Sequence, residues 1–356
     1  MIATPTDKSS KDGQGTEKEK LFMHTACLRA WSIIWRALSV FGVTVAICCA
    51  VCLGMVFILV KGPSSEARRL FVLSVKETSA GGFLAHIFLN DAEVEKILNL
   101  GKSETATGKT DAALIEIPEY MDVQSTRDDD VEVISVHYAG SVGKMMIIKN
   151  PARVILGIPD RFGSDASGLT LRDMIEKYNA IGGVNAGGFW DPDGMGTGGV
   201  PDGLIIEGGK LLWGDRNTVY GVIGLDRDHI LHVGKMTAQE ALDRNVESAV
   251  SFGPSLVING QKQNRYQALG GGLNPRTAIG QRADGAILLL TMEGRQLGSI
   301  GLTYDDLADL MESYGAVNAA NLDGGSSTLM IYRGENQITS SYIFGQRSLA
   351  SAFLVK

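Results

Sequence analysis

From Ala37 to Val60 the chain carries no charged side chain and is dominated by Val, Ala, Ile, Cys, Leu, Met and Phe. Wound as a helix at about 1.5 Å per residue, the run spans roughly 36 Å, enough to cross a hydrocarbon core of about 30 Å. A single transmembrane helix over 37–60 is therefore expected. A cleaved leader would need a small-residue cleavage site after the run, and Lys61-Gly62-Pro63-Ser64-Ser65-Glu66 offers none. A core helix would keep one polar face, which this run lacks. The segment sets off a polar tail over 1–36, whose first 20 or so residues bury too little to order and are expected to be disordered.

Glycine is the outlier of the remainder: 44 in all, many in pairs such as Gly182-Gly183, Gly187-Gly188, Gly198-Gly199 and Gly208-Gly209. Such pairs mark tight turns and backbone-lined clefts rather than long helices. The 4 cysteines are Cys27, Cys48, Cys49 and Cys52, so nothing from Lys61 onward has a thiol nucleophile, a thiolate metal site or a disulfide framework. A net charge of −7 without a basic, aromatic-interleaved stripe argues against nucleic acid as a partner.

Between 61 and 130 the texture fits a stalk or a small packing region, with a short helix over Asp91 to Leu98 and a polar stretch at 101–110. From Val131 it changes. Val131 to Tyr138 alternates and Lys144 to Ile148 follows a glycine-bearing turn, as in a hairpin, so a catalytic domain is placed over 131–356. A helix from Thr170 to about Asn179 leads into a strand ending at Asn185, and Ala286 to Met292 reads as another strand. A one-way βαβ alternation is missing. The fold class expected is α+β, a mixed β-sheet core with a few packed helices and many glycine-rich loops.

Asn321-Leu322-Asp323-Gly324-Gly325-Ser326-Ser327-Thr328 is poorly suited to packing and well suited to a ligand. Before it, Thr303 with Asp306 reads as a helix cap, Leu307, Leu310, Met311 and Tyr314 share one helical face, and Gly315 ends the helix. Ala316 to Leu322 then reads as a buried strand and Thr328 to Tyr332 as the next, so Asp323 stands at a strand end. Gly324 and Gly325 permit a turn whose N–H groups form an anion-binding concavity. A carboxylate beside an anion cradle points to phosphate-ester chemistry; a tight turn capped by Asp323 is the plainer alternative.

Asn185-Ala186-Gly187-Gly188-Phe189-Trp190, Asn274-Pro275-Arg276-Thr277-Ala278-Ile279-Gly280, Glu293-Gly294-Arg295 and Asn321 to Thr328 together resemble, in order, the signature segments of the phosphodiester glycosidase family. The resemblance covers about residues 130–356. Glu293 stands where the family pattern reads Asp, and Ser326 where a third glycine is common. The resemblance implies a hydrolase that cleaves the glycosidic bond of a sugar-1-phosphodiester, with bacterial relatives linked to exopolysaccharide and cell-envelope metabolism.

Such a reaction expels a phosphate monoester, so the site must stabilise charge on the sugar, hold an anion and deliver water or a nucleophile. Asp323 is the expected carboxylate, as nucleophile or base. Arg276, stiffened by Pro275, is the expected phosphate fork, with Thr277 beside it. Asn185 is expected to bond sugar hydroxyls or orient water. Gly187, Gly188, Gly324, Gly325 and Ser326 would line the substrate, Arg295 and Arg347 would add anion contacts, and Glu293, with its longer arm, would support. Phe189 and Trp190 are expected in the core. A serine hydrolase using Ser326 is disfavoured, because Thr328 stands where a nucleophile elbow needs glycine.

Asp191-Pro192-Asp193-Gly194 with Asp202 is rich in oxygen but lacks the remaining positions of an EF-hand loop, so Asx turns are expected there. The histidines lack zinc spacing. No metal or cofactor is expected, with a divalent cation such as calcium left open. The partners expected are a sugar-phosphate or polysaccharide substrate and the membrane, through 37–60. Lys18, Lys20, Arg29 and Arg36 before the apolar run balance Lys61, Arg68, Arg69 and Lys76 after it, so charge does not orient it. The resemblance and the thiol-free domain place 131–356 outside the cell membrane. The alternative function is a non-catalytic glycan-phosphate binding or exopolysaccharide assembly factor.

Overall fold

The computed structural model describes residues 12–78, 81–99, 108–118, 130–263, 271–342 and 345–356. The chain forms two compact units, Met1–Pro63 and Ser64–Lys356. In the first, one helix runs over Asp12–Lys61, and its part Trp31–Lys61, 31 residues, is long and apolar enough to cross a membrane. Residues 1–11 of the expected disordered tail lie outside the described residues. From Asp12 the expectation is corrected: the backbone is already helical. Glu17, Lys18, Glu19 and Lys20 are good helix formers, and extending an existing helix needs no new nucleus.

The second unit opens with the helix Ser65–Lys76, capped by Ser64, whose hydroxyl accepts the Ala67 N–H at 3.1 Å. It buries Val72 and Leu73, and the helix Asp91–Asn99 buries Val94 and Ile97. Ser74 Oγ accepts the Leu273 N–H at 2.9 Å, which ties the first helix to the loop that leads into Asn274 and Arg276. The polar stretch at 101–110 lies mostly outside the described residues.

Strands Val131–Tyr138 and Ser141–Ile148 pair as a hairpin, Val131 opposite Ile148. Ala139 and Gly140 both have positive φ, 46° and 72°, which matches the right-handed strand twist and lets the second strand begin at Ser141 instead of Lys144. These strands belong to a seven-stranded sheet ordered 131–138, 141–148, 287–292, 276–282, 316–322, 255–258, 261–262. A five-stranded sheet has the order 335–336, 330–332, 182–185, 352–355, 154–157, and another the order 210–213, 205–207, 246–251, 219–226, 231–237. The α+β architecture is as expected. One detail is corrected: each described pair of neighbouring strands runs antiparallel, so the sheets are not mixed in direction. Hairpin-length connections account for pairs such as 131–138 with 141–148 and 276–282 with 287–292; pairs such as 141–148 with 287–292 join strands distant in sequence.

Helix Tyr304–Ser313 has the cap its sequence promised, Thr303 Oγ1 accepting from Asp306 N at 3.1 Å and Asp306 Oδ2 from Thr303 N at 3.0 Å. Its apolar face, Leu307, Leu310 and Met311, is buried against the seven-stranded sheet. Two features of register position the site. Thr277 lies opposite Leu322, so Arg276 and Asp323 emerge from neighbouring strands at one end of that sheet. In the next sheet Asn185 lies opposite Ala352, and the N–H of Asp323 donates to Ala186 O at 2.9 Å, so the two sheets meet at the motif.

Candidate active site

Asp323 lines a cavity of about 460 Å³ together with Glu77, Gly188, Phe189, Asp191 and Asp202, and with Asn274, Arg276, Arg295, Tyr304, Gly324 to Ser327, Tyr342 and Arg347. That volume suits a small ligand. Burial pushes the Asp323 carboxyl up to about 6; the Ser327 hydroxyl, the Arg347 charge and the Gly324 N–H pull it down, while Asp191 raises it further.

The motif loop has a different use for its backbone than a bare anion nest. Gly325 N–H donates to Pro275 O at 2.9 Å, Ser327 N–H to Gly324 O at 3.1 Å and Thr328 N–H to Gly325 O at 3.2 Å, so these donors hold the loop itself. Gly325 has φ 58°, which glycine adopts without strain. A Cβ on Gly324 would stand 2.8 Å from Pro275 O, so this residue allows the loop to close on the segment that carries Arg276.

The guanidinium acting on Asp323 is Arg347. Its Nη1 donates to Ser326 Oγ at 2.9 Å, and its Nη2 stands 2.6 Å from Asp191 Oδ1 as a charge contact rather than an aligned hydrogen bond. Its plane lies over Phe189, 4.9 Å from the ring centroid. Asp191 also accepts the Gly196 N–H at 2.6 Å, five residues on, so it closes a wider loop than an Asx turn, and it lines the cavity as well.

Arg276 shares the cavity with Asp323, but the expectation of an open phosphate fork is corrected. Only 3% of the residue is exposed; Nε donates to Leu302 O at 3.0 Å, Nη2 to Gly272 O at 2.6 Å, and Nη2 pairs with Glu77 Oε2 at 3.0 Å. It stacks 4.0 Å from the Tyr304 ring centroid. A guanidinium engaged on carbonyls, a carboxylate and an aromatic face is a scaffold cation. Arg295 donates to Asn274 Oδ1 from Nε at 3.2 Å and from Nη2 at 2.6 Å, and burial pushes it below its ordinary range.

Asn185 is likewise corrected as a direct contact to sugar. It is 0% exposed; Nδ2 donates to Asp323 O at 2.6 Å, and Oδ1 accepts from Thr277 Oγ1 at 2.9 Å and Leu329 N at 3.1 Å. Asn185 and Thr277 thus pin the backbone of Asp323 from behind, and Thr277 is fully buried too. Gly187 packs: its N–H donates to Ser351 Oγ at 3.0 Å, and a Cβ would lie 3.0 Å from Val250 Cβ. Gly188 does line the cavity. Glu293 accepts the Thr339 N–H at 2.7 Å and braces the loop that leads to Ser341 and Tyr342. Trp190 is 66% exposed, against the core placement expected, while Phe189 is buried.

Glu77, Asp191, Asn274, Tyr304 and Tyr342 were not foreseen as part of this wall. Asn274 lay inside a motif segment, and Tyr304 stood beside a helix cap, but Glu77 carries no local signal. Among the described residues no group of three or more His, Cys, Asp or Glu is placed to hold a metal ion.

The sequence profile of the phosphodiester glycosidase family matches residues 178–356. The chain is similar to the SPbeta prophage-derived uncharacterized protein YomE of Bacillus subtilis, 29% identical over 177 residues, covering 47% of this chain and 26% of that protein. It is similar to mouse N-acetylglucosamine-1-phosphodiester alpha-N-acetylglucosaminidase, 26% identical over 149 residues, covering 37% of this chain and 29% of that protein. The chain thus spans between a quarter and a third of the length of these relatives. Among solved structures, the catalytic domain of the zebrafish N-acetylglucosamine-1-phosphodiester alpha-N-acetylglucosaminidase, auto-inhibited by its pro-peptide, superposes with a TM-score of 0.53 at 18% identity, covering 65% of this chain and 85% of that one. At that identity the likeness concerns the fold.

Proposed function

Because the chain belongs to the phosphodiester glycosidase family, we propose that it hydrolyses the glycosidic bond of a sugar-1-phosphodiester in the cavity lined by Asp323 and Arg347. The observation that carries this reading is a half-buried carboxylate and a guanidinium lining one 460 Å³ cavity. Asp323 serves as base toward water or as nucleophile toward the anomeric carbon. Arg347, held by Ser326, Asp191 and Phe189, meets the phosphate oxygens as charge builds on them. Arg276 holds the opposite wall in place rather than gripping the phosphate.

The reading includes a membrane anchor and a substrate in a surface glycan or cell-envelope polymer. It is supported by the apolar helix Trp31–Lys61 and by a thiol-free second unit, which suits an oxidising exterior. Protease added to intact cells should digest the second unit; complete protection would refute this topology.

The function is tested by release of reducing sugar from defined sugar-1-phosphodiesters by the full chain in detergent. Turnover is expected, and Arg347→Lys, which keeps the charge and loses the fork, should lower kcat/KM by about tenfold, the worth of one charge-assisted hydrogen bond. Binding without any release would replace the hydrolase with an assembly factor.

A further inference from the structure

The helix Ser65–Lys76 delivers Glu77 into the cavity wall, more than a hundred residues before the family match begins at residue 178. The two carboxyl oxygens of Glu77 are in different situations. Oε2 accepts from Asn274 Nδ2 and pairs with Arg276 Nη2 at 3.0 Å. Oε1 is buried and has no hydrogen-bond partner among the described residues. A carboxyl with one oxygen saturated by a cation and an amide carries its proton on the other. Loss of that proton leaves a carboxylate whose charge Arg276 offsets from the Oε2 side, while the buried Oε1 has no donor among the described residues.

The electrostatics agree with the geometry. Burial pushes the Glu77 carboxyl up to about 7, although the Arg276 and Arg295 charges and the Asn274 hydrogen bond pull it down. The groups facing it are Arg276 on its strand, Arg295 and Asn274 on their loops and the Tyr304 hydroxyl, which burial pushes up to about 12. Glu77 and Asp323 are thus two carboxyl groups of one cavity, and the more basic of them is the one with an unpartnered oxygen.

We propose that Glu77 is the proton donor of this site. As the bond between the anomeric carbon and the phosphate oxygen breaks, its electron pair stays on that oxygen, which takes the proton from the Glu77 carboxyl, on a side chain 19% exposed at the cavity wall. Glu77 is left as a carboxylate paired with Arg276. Water supplies the new oxygen on the sugar and gives its proton to Asp323, either directly or after a glycosyl ester on Asp323 has formed. Solvent then returns a proton to Glu77 and removes one from Asp323, so one water is consumed for one sugar and one phosphate monoester. This step rests on the hydrolytic reading above.

The test compares wild type, Glu77→Gln and Glu77→Asp as full chains in detergent on a defined sugar-1-phosphodiester, with folding followed by circular dichroism. Glu77→Gln keeps the side-chain size and is expected to lower kcat by about a hundredfold or more with KM nearly unchanged. Wild-type kcat should fall as pH rises through about 7, the value to which burial pushes this carboxyl, and that limb should vanish from the residual activity of Glu77→Gln. Glu77→Asp should retain the limb, and it serves as the test variant if the glutamine chain misfolds.

Undiminished kcat, or a kcat raised as it would be by removal of a carboxylate that merely plugs the cavity, overturns the proposal. An alkaline limb that persists in Glu77→Gln does the same. Wild-type release of sugar with undiminished variants sinks this step alone, whereas no release from wild type sinks the hydrolytic reading and this step together.

Discussion

Asp323→Asn is expected to lower kcat by about a thousandfold while the chain stays folded, the range typical of a lost base or nucleophile. The amide keeps the size of the carboxyl and one acceptor oxygen for the Gly324 N–H, and its NH2 can donate to the Ser327 hydroxyl. What is lost is the charge. Stability should shift the other way. The folded carboxyl titrates near 6 against an ordinary 3.8, so it contributes stability fully below about pH 4 that is lost as pH rises through about 6. Asparagine does not titrate. The melting temperature of the variant relative to wild type should therefore rise between about pH 4 and pH 6 and stay level above. Full activity in this variant, or a stability difference that ignores pH, would remove Asp323 from the role assigned to it.

Asn185→Leu is expected to destabilise the second unit by about 3–5 kcal/mol and to abolish activity even where the chain remains folded. The side chain is wholly buried and makes three hydrogen bonds, to Asp323 O, Thr277 Oγ1 and Leu329 N. Leucine would leave two donors and one acceptor buried and unpaired, each costing about 1–3 kcal/mol, with some relief from local relaxation. Because one bond holds the backbone of Asp323, the carboxylate would also lose its position, and near-attack geometry tolerates little displacement. Denaturant unfolding checks the first part, and sugar release at low temperature checks the second. A variant of native stability with only a raised KM would instead make Asn185 a ligand of the sugar.

The elements written locally in the chain were legible there. Thr303 and Asp306 announce a helix start within three residues, and the alternation of Val131 to Tyr138 announces a strand facing two environments. Asp323 at a strand end followed by two glycines stood out for the same reason, since the turn and the carboxylate occupy adjacent positions. The partners of the arginines were not legible. Arg276 and Arg347 are both arginines near a motif, and what separates them is which carbonyls, rings and carboxylates the fold brings against them. Leu302 O and Gly272 O, which engage Arg276, carry no side-chain signal at all. Asn185 read as a ligand because a polar residue at a strand end is rarely buried; its partner is the backbone of the motif, 138 positions away. Glu77 was hidden most completely, on an amphipathic helix whose packing against the Asn274 loop depends on Ser74 and Leu273 meeting across 199 positions.

The most direct measurement is the position of the new oxygen when the full chain hydrolyses a sugar-1-phosphodiester in heavy-oxygen water, read by mass spectrometry of both products. Attack at the anomeric carbon in the Asp323 cavity predicts the label in the sugar and none in the phosphate monoester. Label in the phosphate would mean cleavage of the phosphorus–oxygen bond, and would contradict a glycosidase built around Asp323 and Arg347.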